Sequence, residues 1–418
     1  MKLLWFEFTE PAAYVSEKLP IGGWQDSLER IVRTIPEVEL TIVFVSKRDT
    51  KVKTIEGVTY IPIFAKWSFR ERVFRKYWDL YVEKVIPKAR EIIHDYRPDI
   101  IQVFGTEWPL GQIAAYTDIP VVIHIMGAIV PYHNASFPPG YSLLDAVVRN
   151  WWKPQTLFRM WIGERDIRNR EEWELRTWRL VNYYMGRTQW DFSLSNVMHP
   201  GRHYFHVEEA LRNEFVTGMK KWHFPSDGKL RLVSTGCGSY WKGLDMMLKV
   251  GRVLIDLGVD FEWKVAGKMN PTMKSNVESH EGVRFEDCNI EILGNKNPAE
   301  LMNILCESSM YVHTAYIENS PNSICEAQCL GIPVVSTNVG GIASLVNDGK
   351  DGILVAANDP WQMADAIMRI WKDKEMMKRM SESTLAHAKQ RHKDEHILKQ
   401  LMDSYETILK CHKGEGCQ

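Results

Sequence analysis

Apolar runs of strand length recur along the chain and alternate with longer, helix-spaced segments. Met1–Phe8, Leu40–Val45, Asp99–Phe104 and Pro120–Ile125 are apolar with few breaks. A strand with one face in water alternates apolar and polar positions. A nearly unbroken apolar run marks a strand covered on both faces, as in a parallel sheet. Ser27–Ile35 and Tyr77–Tyr96 carry helical spacing between these runs. The pattern predicts an α/β architecture. From about Ala146 to Arg187 the chain is instead rich in Trp and Arg, helical in character and without strands. Short extended pieces at Tyr183–Arg187 and Tyr204–His206 close this half, and the turn-rich stretch Phe224–Lys229 reads as a linker.

A second series starts at Leu230. Strands are predicted at Leu230–Thr235, Phe261–Ala266, Ile290–Leu293, Met310–Thr314 and Pro333–Thr337, with helices at Gly243–Leu257 and Asn297–Ser308. Asp359-Pro360 reads as an N-cap with Pro at the first helical position, opening a helix to Trp371. The tail Glu375–Leu409 is helical and highly charged. Two domains are expected, at residues 1–225 and 226–389.

A length of 418 residues suits two domains at roughly 100–200 residues each. With 45% hydrophobic and 25% charged residues, a disordered chain, a coiled coil and a fibre are excluded. Lys and Arg number 52 against 53 Asp and Glu, a balance that speaks against a dedicated nucleic-acid binder. Seven scattered Cys with no CxxC pair speak against a disulfide framework or structural zinc, and point to a reducing compartment. Glu7 and Glu10 interrupt what would be the apolar core of a leader, so the start reads as a strand. No apolar stretch reaches the ~18 residues of a membrane span. A cytoplasmic protein is expected, at the inner face of the membrane where it makes a peripheral contact.

The most informative chemistry lies in Tyr316–Thr337, YIENSPNSICEAQCLGIPVVST. A strand ends in a polar loop with Glu318, and a helix starts near Ser320-Pro321 or Asn322-Ser323. Gly331 and Pro333 stop it. In open parallel sheets ligands bind beyond the carboxyl ends of strands, where Glu318 is placed. The helix start, with the N–H groups of Asn322, Ser323 and Ile324, suits a phosphate. Glu326, further along, suits the vicinal hydroxyls of a ribose. The competing reading is two surface glutamates flanking a helix.

Glu318 and Glu326 stand at the E-x7-E spacing of retaining glycosyltransferases of the GT-B fold, and the segment resembles glycosyltransferase family 4. The following GIPVVSTNVGGIASLVNDGKDGILV, with Gly340-Gly341, resembles the same family. The resemblance implies two Rossmann-like domains whose parallel sheets face across a central cleft, with a last helix at 390–412 packing back on the first domain. It implies retaining transfer of a sugar from a nucleotide diphosphate-sugar donor to a hydroxyl of a glycan or lipid-linked acceptor, in assembly of cell-surface polysaccharide. Glu318 then binds the transferred sugar.

Gly236-Cys-Gly-Ser-Tyr-Trp-Lys242-Gly243 resembles the family's glycine loop and diphosphate lysine, with Lys242 matching the lysine. The family's arginine a few residues earlier is missing, and Lys268 is a substitute cation. A solvated loop lysine is the plainer reading of Lys242. Gly22-Gly23 resembles the family's N-terminal glycine loop, with a tight turn as the rival. His124 is a shifted match to a family histidine at a strand end, with a core histidine as the alternative and His133 as a competitor. Glu107 follows a strand and either faces the acceptor or caps a helix. Arg187 either reaches the cleft or pairs with Asp191.

No Asp-x-Asp motif sits at a strand end, so no metal or cofactor is expected. Leaving-group charge then falls to Lys242 and the N–H groups of the helix start. The basic, aromatic segments Lys66–Trp78 and Asp145–Gly163 suit either an anionic membrane surface or packing on their own domain. Two other functions remain open: a sugar-nucleotide epimerase of the same fold, and a non-catalytic sugar-nucleotide binding protein.

Overall fold

The structure is a computed structural model that describes every residue except 16–22, 49–50, 218–220, 226 and 416–418. In chain order the elements of the first half are β1 (Lys2–Glu7), α1 (Trp24–Val32), β2 (Glu39–Ser46), β3 (Lys53–Ile55), β4 (Val58–Phe64), α2 (Phe69–Phe74), α3 (Tyr77–Tyr96), β5 (Ile100–Phe104), β6 (Val121–His124), α4 (Ile129–Asn134), α5 (Leu143–Arg149), α6 (Pro154–Leu180), β7 (Tyr183–Gly186), α7 (Gln189–Met198) and β8 (His203–His206). The second half carries β9 (Leu230–Thr235), α8 (Leu244–Asp256), β10 (Phe261–Ala266), α9 (Pro271–Glu281), β11 (Ile290–Gly294), α10 (Pro298–Cys306), β12 (Met310–His313), α11 (Asn322–Leu330), β13 (Val334–Thr337), β14 (Gly352–Val355), α12 (Pro360–Lys372), α13 (Lys374–Arg391) and α14 (Asp394–His412).

The chain divides into two compact units. The first holds residues 1–133, 153–210 and 394–418, and the second holds 134–152 and 211–393. The sheet of the first runs β3-β4-β2-β1-β5-β6-β7-β8, parallel except for the β3–β4 pair. Its inner strands are buried on both faces, as their unbroken apolar runs require. One face packs on α1 and α14, where Trp5 and Tyr405 are fully buried and the Trp5 indole donates to the Tyr405 hydroxyl at 3.1 Å. The helix expected at 390–412 therefore joins the first unit. The second sheet, β11-β10-β9-β12-β13-β14, is wholly parallel.

The units depart from the expected domains in two places. The linker expected at Phe224–Lys229 is not the boundary, because Leu211, Phe215 and Trp222 already pack in the second core. The Trp222 indole donates to the Ser308 carbonyl at 2.6 Å. Residues 134–152 leave the first unit for the second, held there by side-chain pairs described below. The hairpin strands β3 and β4 and the edge strand β14 were not predicted. β14 follows the Gly349–Gly352 turn without a long apolar run.

Of the 16 Trp, seven are buried. Trp5, Trp178 and Trp263 are fully buried and Trp24, Trp67, Trp78 and Trp222 nearly so, whereas Trp151, Trp152, Trp161 and Trp361 are exposed. Cys237 and Cys288 are buried free thiols, and Cys411 is disulfide-bonded. No helix among the described residues is long and apolar enough to cross a membrane.

Candidate donor site in the second unit

The carboxyl ends of β9 and β12 lie on neighbouring strands and carry the two strongest candidates. After β9 the chain turns through Gly236, whose φ of +81° favours glycine, and reaches the 3-10 turn Tyr240–Lys242. Gly243 follows at φ +74°, and a Cβ there would fall 2.0 Å from the Thr314 carbonyl oxygen. Only glycine therefore lets this turn lie against the end of β12. The Thr314 hydroxyl donates to the Lys242 carbonyl at 2.8 Å, and the Tyr316 N–H donates to the Trp241 carbonyl at 2.7 Å. These bonds bring the Lys242 ammonium onto the Glu318 carboxylate, with which it forms an ion pair.

The Glu318 backbone is fixed from its other side by Gly340-Gly341. The Gly341 N–H donates to the Glu318 carbonyl at 2.9 Å, and a Cβ on Gly340 would fall 1.8 Å from that oxygen. The glycine pair is thus a packing requirement of the Glu318 loop.

Helix α11 begins at Asn322, the later of the two expected starts, and ends at Gly331 with φ +82°. Its first turn is tied to β9 by a residue the sequence did not flag. The Tyr311 hydroxyl donates to Ser323 Oγ at 2.8 Å and lies 2.9 Å from Thr235 Oγ1. Burial pushes the Tyr311 hydroxyl up to about 12, so it stays a donor. Two residues on, His313 is buried with Nε2 unpaired. Burial, with the Lys242 cation second, pulls it down to about 3, so it is neutral.

Two donor-side expectations are corrected. The Ile324 N–H donates to the Pro321 carbonyl at 3.0 Å, which leaves Asn322 and Ser323 as the candidates for a phosphate. Glu326 is engaged by Arg212, whose Nε and terminal nitrogen donate to its two oxygens at 2.7 Å each. Its side chain is only 4% exposed, and burial raises its pKa against the opposing effect of Arg212. Glu326 therefore anchors the chain around Arg212 to α11. The partners are 114 residues apart, so no local spacing announced them. Lys268 lines a surface groove of about 850 Å³ with Lys229 and Lys274, and its backbone carbonyl lies 3.9 Å from where a Cβ on Gly238 would fall.

In the first unit the candidates are mostly spent on each other. His124, at the end of β6, has 0% exposure. It meets Trp24 edge-on at 4.7 Å and stacks on Phe104 at 6.0 Å. Burial and then the Arg187 cation hold it well below the usual histidine value, so it is a neutral core histidine, not an open catalytic one. Arg187 lies over the Trp24 ring at 4.6 Å and pairs with the fully buried Glu209 at 3.1 Å. Asp191, the partner expected for Arg187, instead accepts from the backbone N–H groups of Arg187 and Thr188. His133 pairs with Glu171 at 2.8 Å.

Glu107 caps no helix. Its carboxyl lies between two glycine backbones: a Cβ on Gly105 or Gly127 would fall 2.3 or 2.9 Å from its oxygens. Oε2 is buried without a hydrogen-bond partner, and burial raises its pKa while Arg170 opposes the rise. Gly23 is the N-cap of α1, with nothing within 4 Å of where a Cβ would point. Gly22 lies outside the described residues. Glu174, absent from the expectations, is buried on α6 and accepts from Thr106 Oγ1 at 2.7 Å and from the N–H groups of Ile129 and Val130 at 2.9 Å each. Burial lifts it to about 7.

Residues 219–386 match the family described as glycosyl transferases group 1. The match covers the whole Lys242–Glu318 site and both glutamates of the E-x7-E spacing. A D-inositol 3-phosphate glycosyltransferase from Corynebacterium urealyticum is 32% identical over 119 residues, which are 28% of this chain and 28% of that relative. The chain thus matches little more than a quarter of the curated relative's length. Over its full length the chain shares the GT-B fold with sucrose-phosphate synthase from Thermosynechococcus elongatus, at TM-score 0.73 and 15% identity over 98% of this chain and 99% of that one. The Anabaena protein HepE, solved in complex with UDP-glucose, is similar at TM-score 0.66 and 14% identity over 97% and 100%.

Proposed function

We propose that the chain is a retaining glycosyltransferase that moves a sugar from a nucleotide diphosphate-sugar to a hydroxyl of a glycan or lipid-linked acceptor. The observation that carries this reading is the Lys242–Glu318 pair. Both groups stand beyond the carboxyl ends of adjacent parallel strands, on loops whose closeness requires Gly243 and Gly340. When the donor bond breaks, charge grows on the outer phosphate of the leaving nucleoside diphosphate. Lys242 and the N–H groups of Asn322 and Ser323 stabilise it, and they are already in place before reaction. Glu318 accepts from hydroxyls of the transferred sugar and in the free protein holds Lys242 in position. With these groups supplying the charge, leaving-group departure proceeds without a metal.

The acceptor side is read from surface chemistry. In the first unit Phe69 and Phe74 are 76% and 77% exposed beside Arg70 and Arg72, and Trp161 is exposed near Arg159. Exposed aromatics among cations suit the interface of an anionic membrane. This surface supports a peripheral membrane contact and a lipid-carried acceptor; a cytoplasmic enzyme of polysaccharide assembly is the role we propose around it.

The test is product analysis. The protein is incubated with a panel of sugar nucleotides, UDP-glucose first, and with glycan and lipid-linked acceptors in the presence of EDTA. The reading expects nucleoside diphosphate release and a glycoside with the donor's anomeric configuration. An epimerised sugar nucleotide, an inverted product or full dependence on added metal contradicts it. Donor binding without turnover favours the non-catalytic alternative.

A further inference from the structure

Residues 134–152 run in sequence between two stretches of the first unit, yet they pack within the second. Side chains hold them against α9. Arg149 donates to Ser279 Oγ at 2.7 Å, and Asn150 Nδ2 donates to Asn276 Oδ1 at 3.2 Å. The Tyr141 ring lies 3.8 Å from the His280 ring, and its hydroxyl donates to Glu281 Oε1 at 2.8 Å.

These contacts continue beyond α9 along two paths. On the first, Asn276 Nδ2 donates to the Tyr240 hydroxyl at 3.0 Å, and the Tyr240 ring meets Phe137 at 5.4 Å. Tyr240 opens the turn that ends in Lys242. On the second, Lys249 lies 3.7 Å from Glu281 and 2.8 Å from Asp245, which accepts from the Tyr316 hydroxyl at 2.7 Å. Tyr316 stands two residues before Glu318. Its N–H bond to Trp241 joins the two paths one residue from Lys242. Burial raises both the Tyr141 and Tyr316 hydroxyls, with Glu281 and Asp245 adding to the rise, so both remain donors.

We propose that residues 134–152 are a positioning strap for the donor site. Asn150, through Asn276 and Tyr240, sets the turn that carries Lys242. Tyr141, through Glu281, Lys249, Asp245 and Tyr316, sets the loop that carries Glu318. The strap rests on the reading of Lys242 and Glu318 as donor groups, and it explains why the chain leaves one unit to pack on the other.

Tyr141→Phe and Asn276→Ala in the full chain test it. Each removes a link that touches neither Lys242 nor Glu318. The first readout is amide hydrogen exchange without ligand. Exchange should rise about fivefold within Tyr240–Gly243 in Asn276→Ala and within Tyr316–Ser320 in Tyr141→Phe, the factor expected for one lost hydrogen bond. The rest of the second unit should stay unchanged. The second readout is turnover of UDP-glucose: kcat should fall about fivefold, since Lys242 acts on charge that develops as the donor bond breaks, while KM stays within about twofold. Unchanged exchange in both loops overturns the strap. So does a rise spread evenly over the second unit with a matching fall in Tm, which marks simple structural support. A Glu318→Ala protein with full activity overturns the donor reading instead, so the two failures are distinguishable.

Discussion

Both units place charged residues beyond the carboxyl ends of parallel strands, but they use them differently. In the second unit Lys242 and Glu318 meet on loops that glycines hold close, with Asn322 and Ser323 beside them at the start of α11. In the first unit Arg187 is committed to Glu209, His133 to Glu171, and His124 is neutral in the core. The proposed function reads the Lys242–Glu318 set as ligand groups, whereas the first-unit set is mostly committed to other side chains. On that reading a polar residue at a strand end is by itself a weak functional signal. The backbone geometry around it is the stronger one. Glu107, enclosed by Gly105 and Gly127 with Oε2 unpaired, is the one first-unit candidate that shares this geometry.

The sharpest way to break the comparison is Gly340→Ala. The added Cβ meets the Glu318 carbonyl oxygen at 1.8 Å, at a φ of +53° that suits glycine. Unfolding measurements should show a loss of roughly 2–4 kcal/mol. Donor turnover should fall about 100-fold, since a displacement of ~1 Å can cost that much. Near-wild-type turnover would show that the Glu318 loop does not need its observed position.

A smaller effect is expected for the exposed aromatics of the first unit. Phe69→Ser with Phe74→Ser should lower flotation with anionic vesicles about tenfold, leaving Tm and the weak binding to phosphatidylcholine vesicles unchanged. Equal flotation of the variant and the parent removes the membrane reading.

The smallest effect concerns Glu174. Its pKa of about 7 lies above the ordinary carboxylate value, so the folded protein binds a proton that the unfolded chain releases. That contribution is fully present below the ordinary value and is lost as pH rises toward 7 and beyond. Glu174→Gln should therefore flatten the fall in Tm between about pH 5 and 8. An unchanged pH dependence would show that Glu174 titrates like an exposed glutamate.

What was legible in the sequence follows the same division. Strand runs, the helix stop at Gly331-Pro333 and the glycine pairs are local, because each demands a residue type at a fixed spacing. They pointed to both sheets and singled out Lys242 and Glu318, which the structure brings together. Arg212, Tyr311, the Glu209 partner of Arg187 and the contacts of residues 134–152 are made across long sequence separations. A single sequence carries no local mark of them. Glu326 shows the cost: its spacing from Glu318 was read correctly, but its occupation by Arg212 was invisible. The Trp-rich segment also divided, with Trp178 in the core and Trp151, Trp152 and Trp161 outside, since composition does not say which face of a helix is covered.

The central claim is that donor chemistry belongs to the glycine-framed site of the second unit. It is tested most directly by nucleoside diphosphate release from the preferred sugar nucleotide, comparing Glu318→Ala with Glu107→Ala at saturating donor and acceptor. Glu318→Ala should lose roughly 100-fold or more in kcat, and Glu107→Ala should retain donor cleavage within about tenfold. Equal release from wild type and Glu318→Ala would contradict the account.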